Sequence, residues 1–166
     1  MAIIMDGNGR WARRRALPRY FGQGEGVKAL KRAVRYPAER GIPTLTVYAF
    51  STENWRRPRE EVDFLLDLMY KTFAQEIEEL HKEGVRVRLV GDRTSLSQEI
   101  QAVWARAEQI TAQNTRLTLN VAFNYGGRAE LTRAARELAS QVARGELAAG
   151  EITEESLARQ LDTLSL

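Results

Sequence analysis

Residues 3–15 read Ile-Ile-Met-Asp-Gly-Asn-Gly-Arg-Trp-Ala-Arg-Arg-Arg: an apolar run, one aspartate, a glycine-bracketed turn and a burst of arginine. The apolar part, Ala2–Met5, has strand character. Three further runs share it: Thr44–Phe50, Val85–Val90 and Arg116–Phe123, the last with Leu117, Leu119 and Val121 alternating onto one face. Helical spacing fills the intervals. It is strongest in Val62, Leu65, Leu66, Met69, Tyr70, Phe73, Ile77 and Leu80, with Pro58 to open the helix and Gly84 to end it. A second predicted helix carries Val27, Leu30 and Val34 and stops at Gly41, with a kink expected at Pro37. A third runs through Leu96, Ile100, Val103, Trp104, Ala107 and Ile110, and a fourth follows Gly127 through Leu131, Ala135, Leu138 and Val142. Thr153 is a candidate N-cap for a last one with Leu157, Leu161 and Leu164. Strand alternating with helix predicts one α/β domain over residues 1–166, an open, mainly parallel sheet flanked by helices. A further strand is due at Leu164-Ser165-Leu166, so the last strands of the fold are expected to be absent.

Composition narrows the function classes. Hydrophobic residues at 43% and charged residues at 28% describe a soluble globular protein. No apolar run approaches the roughly 20 residues of a membrane span. Residues 1–5 lack a basic segment and are broken by Asp6, unlike a signal peptide. The absence of cysteine excludes disulfides and thiolate metal sites and suits a cytoplasmic enzyme. A net charge of only +3 gives no reason to expect a nucleic-acid partner. The positive charge is local, at Arg10, Arg13, Arg14, Arg15 and Arg19.

In an open α/β sheet, ligands bind beyond the carboxyl ends of the strands. Each run ends in a polar cluster: Asp6–Trp11, Ser51–Arg57, Gly91–Arg93 and Asn124–Arg128. Gly7 and Gly9 let backbone N–H groups approach an anion, and Arg10 and Arg19 supply planar forks for phosphate oxygens. Asp6 beside phosphates calls for a bridging cation such as Mg²⁺; otherwise it caps a turn and the arginines form a solvated face. Gly7-x-Gly9-x-x-Ala12 matches a relaxed dinucleotide fingerprint, but the acidic residue expected about 20 positions on is missing. The P-loop signature is absent. One aspartate among many arginines points to a pyrophosphate with one metal. In the second cluster Phe50 and Trp55 bracket polar groups, which suits a ligand with a charged head and an apolar body; Trp55 equally suits a core or hinge. His81 is read as a helix C-terminal residue and Asp92 as a turn residue.

These stretches resemble the cis-prenyltransferases, the undecaprenyl pyrophosphate synthase family. "AIIMDGNGRWA" (2–12), "LTVYAFSTENWRRP" (45–58) and "LTLNVAFNYGGR" (117–128) are similar to three of its signatures, in order. The resemblance implies a parallel-sheet fold with an apolar tunnel, usually a homodimer. It implies Mg²⁺-dependent condensation of isopentenyl pyrophosphate onto an allylic pyrophosphate such as farnesyl pyrophosphate, forming cis double bonds. By position, Asp6 binds Mg²⁺ and assists departure of the allylic pyrophosphate. Gly7, Asn8, Gly9, Arg10 and Arg19 hold that pyrophosphate, with Trp11 beside it. Asn54 helps remove the proton, and Ser51, Thr52, Glu53, Trp55 and Arg57 line the substrate site. Ala49 and the Val62–Leu80 face are candidate tunnel walls. A lipid product also implies peripheral contact with a membrane. Two departures stand out. Gln23, in "FGQGEG" (21–26), occupies a position where the family usually has histidine, and the family's arginine and Ser-Gly-Glu C-terminal signature does not occur. They leave a second reading open, a non-catalytic binding or dimerising subunit of the same fold.

Overall fold

A computed structural model describes residues 1–165; Leu166, the end of the tract where a further strand was expected, lies outside them. Strands β1 (Ala2–Ile4), β2 (Thr44–Ser51), β3 (Val85–Val90) and β4 (Leu117–Tyr125) form one sheet in the order β1-β2-β4-β3, with every pairing parallel. All four carboxyl ends therefore meet one edge, as the alternation of strand and helix predicts. The helices are α1 (Asn8–Arg13), α2 (Arg19–Glu39), α3 (Arg59–Lys82), α4 (Gln98–Thr111), α5 (Gly127–Ala143) and the short α6 (Glu154–Ala158).

The core lies between one face of the sheet and α2, α3 and α4. Leu45, Val47, Leu117, Leu119, Val121 and Phe123 supply the sheet side; Val34, Met69, Phe73, Ile77 and Trp104 supply the helices. Phe73 and Trp104 meet with ring centroids 4.0 Å apart, joining α3 to α4. The outer edge of β3 is covered by α4: Thr111 Oγ1 accepts the Val87 N–H at 3.0 Å, and Glu108 Oε1 accepts that of Leu89 at 2.9 Å. These bonds satisfy donors that would otherwise invite another strand.

Two helices depart from what periodicity alone shows, and the end of α2 agrees with it. Helix α2 begins at Arg19 and takes in Gly22, Gly24 and Gly26, which propensity alone disfavours. Gly22 has no room for a side chain, because a β-carbon there would sit 2.0 Å from the carbonyl oxygen of Asn8. The helix continues past Pro37 to Glu39. The last predicted helix is cut short: Thr153 does cap α6, accepting the Ser156 N–H at 3.2 Å, but α6 ends at Ala158 and a 3-10 turn follows over Asp162–Ser165.

The β2–β4 ladder carries two irregularities near the carboxyl edge. Tyr48 pairs with Ala122 and Phe50 with Phe123, so Ala49 is an extra residue on β2; Ser51 then pairs with Tyr125, making Asn124, at φ +51°, extra on β4. The first bulge turns Phe50 into the core against Phe123, ring centroids 5.2 Å apart. Beyond the second, Tyr125 donates its O–H to Glu130 Oε2 at 2.8 Å, and the buried Glu130 accepts the Thr163 N–H at 3.2 Å. Burial, then the bond and charge of Glu130, push the Tyr125 phenol up to about 12.

Two measurements check this packing. Gly22→Ala destabilises the chain by about 1–3 kcal/mol despite the better helix propensity of alanine. Gly24→Ala, where a β-carbon meets nothing within 4 Å, stabilises it by up to about 1 kcal/mol; urea midpoints that move together contradict the docking of Asn8 on Gly22. A phenol that ionises less readily when folded contributes stability that is present below its unfolded pKa of 10.0 and lost as pH rises through about 12. Tyr125→Phe makes that alkaline decline smaller, and an unchanged decline counts against the Tyr125–Glu130 contact.

Candidate active site

The turn after β1 is built around Gly7. Its φ of +94° is a left-handed conformation open to glycine and costly for other residues, and it starts α1 within two residues of Asp6. The N–H of Gly7 and the guanidinium of Arg10 both donate to the Asp6 carboxylate, the latter at 2.7 Å to Oδ2. The N–H groups of Asn8, Gly9 and Arg10 find no acceptor among the described residues. Asp6, Gly7, Asn8 and Gly9 line one space.

That space is a cavity of about 280 Å³ between the carboxyl ends of β1 and β2 and the starts of α2 and α3. Asp6, Gly7, Asn8, Gly9, Arg19, Gln23, Ser51, Asn54 and Arg57 line it, so the first two polar clusters converge. Arg10 joins them through its ion pair with Asp6. The opposite wall is apolar, made by Ala49 at the bulge and by Leu65, Leu68 and Met69 of α3. Val27 belongs both to this wall and to an apolar crevice between α2 and α3 lined by Leu30, Val34, Phe73 and Leu80. Lys31–Glu76 at 2.6 Å and Arg35–Glu79 at 2.8 Å bridge the two helices along that crevice.

Four predicted site residues stand apart from the cavity. Trp11 lies on α1 with the Arg15 guanidinium 4.2 Å above its ring. Glu53 is fully exposed; the bond from its own backbone N–H, then that from the Ser51 hydroxyl, hold its carboxyl below the usual range. Thr52 faces a second cavity of about 460 Å³, with Asp92, Asn124, Tyr125 and Arg128. The third and fourth clusters gather there, because β4 and β3 lie on the far side of β2. Trp55 bridges the two sites: its ring is edge-on to Phe50, centroids 5.2 Å apart, and its Nε1 donates to Asn124 Oδ1 at 2.7 Å. Asp92 is a turn residue as expected; burial opposes its ionisation, but the Thr94 hydroxyl and N–H outweigh that and lower its pKa. His81 sits in the last turn of α3.

Asn54 is held by the 3-10 turn that follows β2. Its Oδ1 accepts the Ser51 N–H at 2.8 Å, and the Asn54 backbone N–H points back to the Ser51 hydroxyl oxygen, completing a capping box. The amide Nδ2 is thereby left to the cavity. Gln23, 8% exposed, donates to Glu61 at 3.5 Å and leaves its Oε1 without a partner. No group of three metal-ligating side chains occurs among the described residues. A lone carboxylate such as Asp6 fits a cation that completes its shell with ligand phosphates and water, as Mg²⁺ does. Sequence reasoning missed Tyr48, a cavity wall residue whose O–H donates to the Tyr125 carbonyl at 2.8 Å. It also missed Glu61, whose spacing of four from Arg57 was the available signal.

The family model described as "Putative undecaprenyl diphosphate synthase" matches residues 4–166. An isoprenyl transferase of Agrobacterium fabrum is 51% identical over 163 residues, 98% of this chain and 66% of that protein. A ditrans,polycis-undecaprenyl-diphosphate synthase of Vibrio vulnificus, described as (2E,6E)-farnesyl-diphosphate specific, is 44% identical across 97% of this chain and 64% of its own length. The chain thus spans about two thirds of the curated relatives it matches. Among solved structures, lavandulyl diphosphate synthase from Lavandula x intermedia, in complex with dimethylallyl diphosphate, superposes with a TM-score of 0.93 at 30% identity, over 99% of this chain and 71% of that one. With the glycine turn, its aspartate and the Ser51–Arg57 segment closing one cavity of that fold, the chain belongs to the undecaprenyl diphosphate synthase family of prenyltransferases.

Proposed function

We propose that the protein condenses isopentenyl pyrophosphate with an allylic pyrophosphate such as farnesyl pyrophosphate, producing a cis-polyprenyl pyrophosphate. One observation carries this reading: a cavity with free N–H groups, arginines and an aspartate on one wall and an apolar wall opposite, continuing at Val27 between α2 and α3. A phosphate head and a hydrocarbon tail would find matching surfaces there.

The allylic pyrophosphate would lie on the N–H groups of Asn8, Gly9 and Arg10, between the guanidiniums of Arg19 and Arg57. Bound Mg²⁺, held by Asp6 and phosphate oxygens, would supply charge neutralisation of the leaving group. When the allylic carbon–oxygen bond breaks, its electron pair leaves with the pyrophosphate, and the donors around it stabilise the charge that develops. The terminal alkene carbon of isopentenyl pyrophosphate forms the new carbon–carbon bond. A proton is then lost from its C2, and the double bond re-forms between C2 and C3. An amide is a poor base. With Oδ1 engaged by Ser51, Asn54 would help that proton leave by holding a pyrophosphate oxygen in place through Nδ2, and the oxygen would accept it. The apolar wall excludes water from the allylic cation and retains the tail, at about 0.8 kcal/mol per buried CH₂. Gln23 would serve the head group as a neutral amide. A cytoplasmic homodimer touching the membrane through its lipid product belongs to the same proposal; sedimentation and vesicle flotation address it. No helix among the described residues is long and apolar enough to cross a membrane.

Incubation with Mg²⁺, farnesyl pyrophosphate and labelled isopentenyl pyrophosphate yields labelled polyprenyl product, and Asp6→Ala slows it by about 10²–10³-fold. Thermal stabilisation by farnesyl pyrophosphate without product favours the non-catalytic binding subunit. The absence of both product and stabilisation contradicts the reading.

A further inference from the structure

Behind the two cavity arginines lies a carboxylate to which no role has been given. Glu61 sits in the first turn of α3, its side chain 15% exposed, and it does not line the cavity itself. Its Oε1 accepts from Arg57 Nη1 at 2.7 Å and from Gln23 Nε2 at 3.5 Å; its Oε2 faces Arg19 Nη1 at 3.5 Å. One carboxylate therefore gathers side chains from the start of α2 and from the segment that leads into α3.

We infer that Glu61 is a positioning residue: it fixes the guanidiniums of Arg19 and Arg57 so that their remaining donors face a bound pyrophosphate. The inference rests on the proposed pyrophosphate site. A guanidinium has five N–H donors, and Glu61 engages Nη1 of each arginine. On Arg19 the Nε and Nη2 edge is left over, and that edge lies against the glycine turn: a β-carbon on Gly9 would be 3.0 Å from Nε and 3.4 Å from Nη2. The edge is thus already turned towards the free N–H groups of residues 8–10. Long side chains lose rotamer freedom when a ligand orders them, and an arginine held beforehand loses less on binding. Glu61 is itself held from three directions, since the amide of Gln23 donates to the same oxygen as Arg57. Shared attachment also ties α2 to α3 at the cavity mouth, so displacement of one arginine is felt by the other.

Binding of inorganic pyrophosphate, measured by calorimetry on the wild type and on Arg57→Ala, Glu61→Ala, Glu61→Gln and the Arg57→Ala/Glu61→Ala double variant, tests this. Wild type binds, and Arg57→Ala and Glu61→Ala each weaken binding by about tenfold or more. The double variant loses less than the product of the two single losses, because Glu61 acts in part through Arg57, and what it adds beyond Arg57→Ala is the release of Arg19. Glu61→Gln, which keeps the side chain's shape and loses its charge, falls in the same direction, so a packing defect is not the cause. Glu61 variants that bind as tightly as wild type or more tightly, or losses that simply multiply in the double variant, overturn the inference while leaving the site intact. No binding by wild type, or undiminished binding by Arg57→Ala, overturns the site reading and the inference together.

Discussion

The close approach of the Asn8 carbonyl to Gly22 is the constraint on which the site depends. A short helix following a three-residue strand has little stability of its own. It is held because α2 offers bare backbone where α1 presses on it. That contact requires the left-handed turn at Gly7, and the turn in turn directs the first N–H groups of α1 into the cavity and not into a neighbouring element. Arg19 begins α2 one turn before Gly22 and so falls over Gly9. Glycine content that weakens α2 as an isolated helix is what lets it carry a binding turn.

A second constraint lies in the ladder between β2 and β4. An extra residue on each strand restores the register after a short interruption, and the interruption separates two cavities along one sheet edge. The Ala49 bulge places a small residue at the cavity wall and turns Phe50 inward. The Asn124 bulge puts an amide where it accepts from Trp55 and donates to the Asp92 carbonyl and the Ser95 hydroxyl, at 2.8 and 2.7 Å. The segment carrying Ser51, Asn54 and Arg57 is thus anchored from the far side of the sheet, and the two cavities share a wall without sharing a ligand surface.

Much of this was legible in the sequence because it is periodic. The alternation in Leu117–Val121 and the long apolar stripe of α3 locate the central strand and the helix opposite it, and parallel strands bring four polar clusters to one edge. Strand order is not periodic information, so the division of those clusters into two pairs was not legible, nor was the placement of Thr52 on the second cavity. Trp11, Glu53 and Trp55 belong to stretches that resemble the family's signatures, yet their side chains turn to α1, to solvent and to Asn124. The three glycines of α2 disfavour a helix by propensity, and the contacts of Gly22 and Gly26 with Asn8 are not visible in the sequence. The role of Glu61 was not legible, because the arginine on α2 that it faces is 42 positions away.

The central claim is that the turn at Gly7–Arg10, with Arg19 and Arg57, is a pyrophosphate cradle opening onto an apolar wall. A crystal structure with a non-hydrolysable allylic pyrophosphate analogue tests it most directly. The account predicts phosphate oxygens on the N–H groups of Asn8, Gly9 and Arg10, and a tail running past Ala49 and Leu65 towards Val27. A pyrophosphate bound instead in the second cavity, beside Arg128, or a tail directed to solvent, would contradict it.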